Sequence, residues 1–201
     1  MVFIVAPSLV PGPMILLALF NTLILSFKFR QRINFSLTKH SFIGGALGVL
    51  LGALLIGNLS ATQYQKIFGF LMLFAVSLSI MGITPKVTRL TSLIASSISG
   101  LMGTITSAGG APMGLLYQSE EKTTVKANLS IYFVYLNTIA IVALWITGES
   151  GIQDLYAFVS LAPAVLIGVY LSTHFDKLIN ASAMRFLVLL VATLSGIVLV
   201  I

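Results

Sequence analysis

Two long apolar runs constrain the fold more than any other feature of this chain. They are SFIGGALGVLLGALLIGNL, residues 41–59, and MRFLVLLVATLSGIVLVI, residues 184–201. A helix needs roughly 20 apolar residues to cross the hydrocarbon core of a bilayer, and both runs approach that length. Charged residues make up only 8% of the chain, whereas a soluble domain carries about 25%. We therefore predict an all-α, polytopic membrane helix bundle surrounded by the lipid bilayer.

Six apolar segments are interpreted as membrane spans, and the charges between them indicate their orientation. The predicted spans cover residues 14–29, 40–57, 67–83, 127–147, 156–173 and 181–201. Lys and Arg mark cytoplasmic loops, and here they concentrate in loops 28–40, 84–91 and 174–185. We expect these loops on the cytoplasmic side of the inner (plasma) membrane. Because the basic residues lie at span ends, they favour membrane topology over nucleic-acid binding.

The stretch GLMGTITSAGGAPMGLLY, residues 100–117, combines five glycines and a proline with no charge. An unpaired backbone group in hydrocarbon costs several kcal/mol, so broken backbone is tolerated only where protein or water surrounds it. Two interpretations of residues 92–117 follow. The region forms a re-entrant hairpin with arms of about 10–13 residues, or a single kinked span of about 26 residues. The basic loop 84–91 and the lysines of the mixed-charge loop 118–126 favour the hairpin.

The chain also contains two weakly similar halves. APSLV at residues 6–10 resembles APMGLL at residues 111–116. Each half continues with a polar-containing span, a span rich in small residues and a purely apolar span. Loop charges orient the halves oppositely. We predict inverted repeats at 1–83, N-terminally incomplete, and 84–201, within one membrane domain. Inverted repeats with interrupted helices are typical of secondary transporters.

Gly109, Gly110 and Pro112 predict a tight turn that leads into a helix. Glycine permits unusual backbone angles, and proline suits the first helical turn because its missing N–H would be unpaired there anyway. The free N–H groups of that turn and the positive end of the helix dipole favour an anion. Glycines in membrane helices also serve close packing. That is the role expected of Gly44, Gly48 and Gly52.

Polar side chains near this turn are candidates for substrate binding. Thr104, Thr106 and Ser107 would supply hydroxyl donors. Asn21 and Asn128 lie at matching positions in the two halves, either to bind substrate or to join helices. No carboxylate lies in the stretch to repel an anion. The chain has no cysteine, and its two histidines are far apart; we therefore expect no cofactor and no metal site.

The same residues resemble a known family. SSISGLMGTITSAGGAPMGLLYQ, followed by KANLSIYF, is similar to the second signature of the TauE/SafE sulfite exporter family. The resemblance implies a multi-pass inner-membrane protein that exports sulfite, a sulfonate or another small organic anion. It carries over, position by position, to Gly103, Gly109, Gly110, Pro112, Ala127 and Asn128, and in the first half to Pro7, Ala18 and Asn21. The chain opens in the middle of the corresponding first signature.

Three functions remain as alternatives. The leading one is a secondary transporter of a small anion, without enzymatic activity. The second is a membrane assembly subunit that transports nothing by itself. The third is an intramembrane enzyme with Ser107 as nucleophile and His174 as base, although the chain has no Gly-x-Ser-x-Gly elbow. The sequence leaves open whether the chain forms a homo-oligomer.

Overall fold

The structure of the protein, a computed structural model, describes residues 11–81, 85–175 and 181–201, and within these ranges all regular elements are helical. The helices are α1 (Gly12–Lys28), a 3₁₀ turn (Arg30–Arg32), α2 (Phe35–Ile56), α3 (Ala61–Met81), α4 (Arg89–Thr106), α5 (Gly110–Leu116), α6 (Lys122–Ile146), α7 (Ile152–Phe175) and α8 (Ala181–Val200). The predicted all-α bundle is confirmed. The APSLV motif and the side chain of His174 lie outside what is described.

Four of these helices, α2, α3, α6 and α7, are long and apolar enough to cross a membrane. The helix α1 and the C-terminal part of α8 are apolar but shorter. Large apolar side chains such as Phe27, Leu54 and Ile146 lie exposed on the outside of the bundle. A surface of this kind is stable in lipid, where apolar side chains need no cover. The prediction of a multi-pass membrane protein is confirmed.

Several helices begin earlier than predicted, because polar residues assigned to loops act as caps. The helix α2 begins at Phe35, five residues early, since the side chain of Asn34 accepts the N–H of Ser36 at 3.1 Å. At the start of α3, Ser60 and Gln63 cap each other: each backbone N–H donates to the other side chain, at 3.0 and 3.3 Å. Such reciprocal caps satisfy N–H groups that have no partner inside the helix.

The helices α2 and α4 pack closely through glycines. A Cβ atom on Gly44 would overlap the carbonyl oxygen of Leu93, and one on Gly48 would overlap that of Ser97. A Cβ on Gly52 would press against the next turn of α4. Because the contacting residue numbers rise together, the two helices run parallel. The packing role expected of these three glycines is confirmed, since only a glycine lets the backbones approach this closely.

The Gly-rich region forms a hairpin with unequal arms, α4 and α5. The Ser99 hydroxyl donates to the carbonyl oxygen of Gly109 at 2.6 Å, so the chain after α4 turns back alongside it. The hydroxyl of Tyr117, just after α5, bonds Ser41 near the start of α2, the same end at which α4 begins. The arms are 18 and 7 residues, against the predicted 10–13, because a Thr88–Thr91 capping box starts α4 early.

The other helices surround this hairpin in antiparallel and parallel pairs. The helix α6 packs against α1 and α2, α7 packs against α1, and α3 packs against α8. The Tyr132 hydroxyl of α6 donates to the carbonyl of Ser96 in α4 at 3.1 Å and so ties α6 to the hairpin. The buried core lies between α2, α5 and α6, with Val49, Met113 and Leu136 among its members. It leaves a cavity beside the turn of the hairpin.

Candidate functional site

A cavity of about 180 Å³ lies where α1, α2, α6 and the turn of the hairpin meet. We call it the central cavity. Its apolar wall comes from the side chains of Ile15, Ala18, Val49, Phe133, Leu136 and Ala140. Its polar wall comes from Thr22, Ser99, Thr104, Ser107 and Asn137, with the backbone of residues 108–110. No ionisable side chain is among the described residues that line it.

The turn of the hairpin is built by Ser107, Ala108 and Gly109. Ser107 ends α4 in the left-handed region, with φ 57°, and its N–H donates to the carbonyl of Gly103 at 2.8 Å. The N–H of Ala108 donates to the Thr106 hydroxyl at 3.2 Å. A non-glycine residue in this conformation is uncommon and costs about 1–2 kcal/mol. The surrounding contacts therefore hold the turn in a strained geometry at the wall of the cavity.

Gly109 is required by packing at this turn. A Cβ atom there would overlap the carbonyl oxygen of Ser99 and would lie 3.0 Å from the Cα of Gly103. Gly110 differs, because no atom of the described residues lies within 4 Å of the position of its Cβ. The backbone of Gly110 thus borders open space at the first position of α5. Its N–H belongs to the first helical turn, which has no intrahelical acceptor.

The hydroxyl groups of the cavity already donate their hydrogens to backbone carbonyls. Thr104 donates to Gly100 at 2.9 Å and Thr22 donates to Ala18 at 2.8 Å. Ser99 holds Gly109, as described above. Within helices, Ser and Thr often bond the carbonyl four residues earlier in this way. These hydroxyls can accept hydrogen bonds, but they are not free donors for an anion in this conformation.

Ser107 is the exception among the hydroxyls, because its bond is weak. Its Oγ lies 3.4 Å from the carbonyl oxygen of Pro11, at the start of α1. Good O–H···O bonds have oxygen separations near 2.7–2.8 Å. The Ser107 hydroxyl could therefore donate a hydrogen bond to an incoming anion instead, with little loss of free energy.

Asn137 is the cavity-lining side chain that retains free donors. Its half-buried amide makes no hydrogen bond to any residue that the structure describes. Its neighbour Thr138 donates to the carbonyl of Val134 at 2.7 Å and is thereby occupied. An amide NH₂ carries two donors. Together with the weakly bonded Ser107 and the N–H of Gly110, Asn137 gives the mostly apolar, uncharged central cavity a few hydrogen-bond donors.

The predicted site residues fall into two groups. Thr104, Ser107, Gly109 and Gly110 line the central cavity. Thr106, Pro112, Asn128 and Asn21 do not. Thr106 lies behind the turn and donates to the carbonyl of Met102 at 2.7 Å. The roles of all eight residues in binding remain predictions.

Asn128, Pro112 and Asn21 each occupy a different environment. The fully buried Asn128 accepts the N–H of Asn34 at 2.7 Å through Oδ1, and its amide nitrogen has no partner among the described residues. This bond ties the start of α6 to the start of α2. Pro112 faces an apolar cavity that it shares with Ile98. Asn21 lines a separate cavity between α1 and α7.

The sequence interpretation did not assign Asn137, Ser99 or Thr22 to the site. A usable signal was present: LFNTLIL at residues 19–25 resembles YLNTIAI at residues 135–141, which places an Asn-Thr pair at the same position of α1 and α6. In the described part of the chain, no group of three His, Asp or Glu side chains could hold a metal ion.

Comparison with known proteins identifies a family. The family model described as Sulfite exporter TauE/SafE matches residues 1–199 of the chain. The search of curated proteins and the search of solved structures found no match to the chain.

Proposed function

The chain belongs to the TauE/SafE sulfite exporter family, and from this membership we propose that it is a secondary transporter that exports a small anion. Membrane transport is the activity of the family. The finer proposal is that the anion is of the sulfite, sulfonate or organic carboxylate type and leaves the cell across the inner membrane. The observation that carries it is the central cavity, whose described lining residues include unpaired amide donors and no acidic side chain.

The size of the central cavity limits the anion. A cavity of about 150 Å³ holds benzene, with six heavy atoms, and the central cavity measures about 180 Å³. Sulfite, methanesulfonate and acetate have no more than five heavy atoms and fit this space. A naphthalene sulfonate is much larger, and we expect it to be excluded. Size therefore supports a small oxyanion in preference to a large organic one.

The chemistry of the cavity is suited to transient binding. Moving a bare charge out of water is costly unless hydrogen bonds replace its hydration shell. The Asn137 amide, the Gly110 N–H and the Ser107 hydroxyl offer donors on one wall. Among the described residues, no lysine or arginine lines the cavity to hold the anion permanently. Binding by neutral donors lets the anion both enter and leave.

We further propose that the two halves, 1–83 and 84–201, are inverted repeats that rock about the cavity. In support, α1, α2 and α3 run in directions opposite to those of α6, α7 and α8 if loops 28–40 and 84–91 lie on one side, as their charges predict. The contact of α2 with α6 has its counterpart in the contact of α1 with α7. Rocking of one repeat against the other is how such transporters alternate access.

The test is anion flux in proteoliposomes that contain the purified protein. We expect loss of trapped sulfite and methanesulfonate faster than from empty liposomes, and no loss of 2-naphthalenesulfonate. Asn137→Leu should weaken anion binding by about tenfold to a hundredfold, the usual range for a hydrogen bond to a charged group. Thr138→Val is the matched control, because the Thr138 hydroxyl bonds its own helix. Equal leakage with and without protein would refute the proposal.

A further inference from the structure

A second cavity, of about 400 Å³, lies between α1 and α7 and shares no lining residue with the central cavity. We call it the α1–α7 cavity. From α1 it is lined by Asn21, Ile24, Leu25 and Lys28, and from α7 by Val165, Gly168 and Val169. Lys28 is the last residue of α1, at the end that carries the basic loop. The cavity therefore reaches from the middle of α1 toward the predicted cytoplasmic surface.

The two cavities are related by the internal similarity of the chain. With LFNTLIL aligned to YLNTIAI, each residue of α1 and α2 corresponds to the residue 116 positions later in α6 and α7. Three pairs then occupy the two cavities, one member in each. They are Asn21 with Asn137, Ile24 with Ala140, and Val165 with Val49. The α1–α7 cavity is thus the counterpart of the central cavity in the other half.

Asn21 repeats the chemistry of Asn137. The next residue, Thr22, donates to its own helix at Ala18, as Thr138 donates to Val134. The half-buried amide of Asn21 makes no hydrogen bond to the described part of the chain. A polar amide inside a membrane span is costly without a partner. In each half, the threonine is satisfied locally and the asparagine keeps its donors for the cavity.

Lys28 gives the α1–α7 cavity a positive charge that the central cavity lacks. It lies seven residues after Asn21, nearly two full turns, so both side chains lie on one face of α1, about 10 Å apart along the axis. No acidic side chain lines this cavity among the described residues. We propose that the α1–α7 cavity is a second binding subsite for the same small oxyanion, on the cytoplasmic side. This inference rests on the proposed transport of such an anion.

The test uses single-cysteine variants, since the natural chain has no cysteine. Gly168→Cys adds a thiol at an exposed residue that lines the α1–α7 cavity, and no described atom lies within 4 Å of the Cβ position to oppose it. Ile167→Cys is the matched control: it is the preceding residue, 59% exposed, and does not line the cavity. The reagent is 2-sulfonatoethyl methanethiosulfonate, added to the protein in phosphatidylcholine nanodiscs, in which both membrane faces are accessible. We expect methanesulfonate to slow labelling of the Gly168→Cys variant and to leave labelling of the Ile167→Cys variant unaffected.

Two further variants in the Gly168→Cys background separate binding from structure. Lys28→Gln should slow the anionic reagent by between about twofold and fifteenfold, which is the effect of one charge if it lies about 10 Å from the reacting thiol, in surroundings from water-like to partly buried. It should not slow a trimethylammonium reagent of the same length. Asn21→Ala should abolish protection by methanesulfonate while the reagent still reacts. Equal slowing of both reagents by Lys28→Gln would overturn the proposal.

The remaining outcomes distinguish this subsite from other occupants and from the transport proposal. If phosphatidylglycerol in the nanodisc slows labelling of the Gly168→Cys thiol and free methanesulfonate does not, the cavity binds a lipid headgroup. That result would overturn the subsite. Flux in proteoliposomes without protection of the thiol in the Gly168→Cys variant would also overturn it, while transport stands. Protection without flux would support the subsite and refute transport.

Discussion

Gly109→Ala tests the hairpin geometry most directly. The methyl group would overlap the Ser99 carbonyl oxygen and lie 3.0–3.1 Å from the Cα and N of Gly103. All three atoms belong to the backbone of α4, so no flexible side chain can move aside. The turn must therefore shift away from α4. That shift also stretches the 2.6 Å bond from the Ser99 hydroxyl to the Gly109 carbonyl.

The expected loss of stability combines these two effects. Overpacking costs typically about 1–3 kcal/mol, and a buried hydrogen bond contributes about 1 kcal/mol. We expect Gly109→Ala to lower the free energy of unfolding by about 2–4 kcal/mol. For a chain of this length, 1 kcal/mol corresponds to about 2–4 °C. Thermal unfolding in detergent should therefore show a midpoint about 5–15 °C lower.

Two neighbouring glycines supply controls for Gly109→Ala. A methyl group on Gly114, within α5, meets nothing within 4 Å, and one on Gly103 meets Gly109 only at an ordinary 3.6 Å. Replacing a helical glycine by alanine stabilises a helix by up to about 1 kcal/mol. Gly114→Ala and Gly103→Ala should keep or raise the midpoint, and Gly103→Ala should reduce flux because it narrows the central cavity. If all three variants unfold at the same temperature, Gly109 does not pack against the backbone of α4 as described.

Three more substitutions probe the supports of the cavity. Gly48→Ala should lower the midpoint of thermal unfolding, at a cost of about 1–3 kcal/mol, because its methyl group overlaps the Ser97 carbonyl; Gly168→Ala, in open space, should not. Asn128→Ala leaves a backbone N–H at the start of α2 unpaired and should cost about 1–3 kcal/mol, whereas Asn128→Asp keeps the acceptor and should unfold at a higher temperature than the alanine variant. Ser107→Gly should raise the midpoint by relieving about 1 kcal/mol of left-handed strain; an unchanged or lower midpoint would contradict the strained turn.

The sequence was sufficient to predict a multi-pass membrane protein, an all-helical fold and the close packing of the glycines in α2. These follow from apolar length and residue size, which are local properties. Helix starts were placed five or six residues late at α2 and α3, because Asn34 and Ser60 were assigned to loops. Capping depends on which backbone N–H a side chain meets. The positions of polar residues in the sequence do not show which backbone N–H each side chain will bond.

The predicted turn borders the central cavity, but two of the hydroxyl groups expected to donate to an anion are already bonded. Thr104 and Thr106 were expected to offer hydroxyls, yet each donates to the carbonyl four residues earlier. Competition of this kind inside a helix is general for Ser and Thr. Asn137 was not assigned to the site, because the halves were aligned on their Ala-Pro motifs and Asn21 was therefore paired with Asn128. Asn21 lies fourteen positions after Pro7, whereas Asn137 lies twenty-five positions after Pro112.

The distribution of charge over the two cavities agrees with what the proposed transport of an anion would require. An anion at the membrane surface is hydrated, and a lysine there raises its local concentration without removing its water. Deeper in the bundle a lysine would bind the dehydrated anion far more strongly, since the Coulomb energy grows as the dielectric constant falls. Release would then limit turnover, because passage requires binding that is also weak enough to reverse. Lys28 at the end of α1 and the neutral amide of Asn137 beside the hairpin satisfy both requirements.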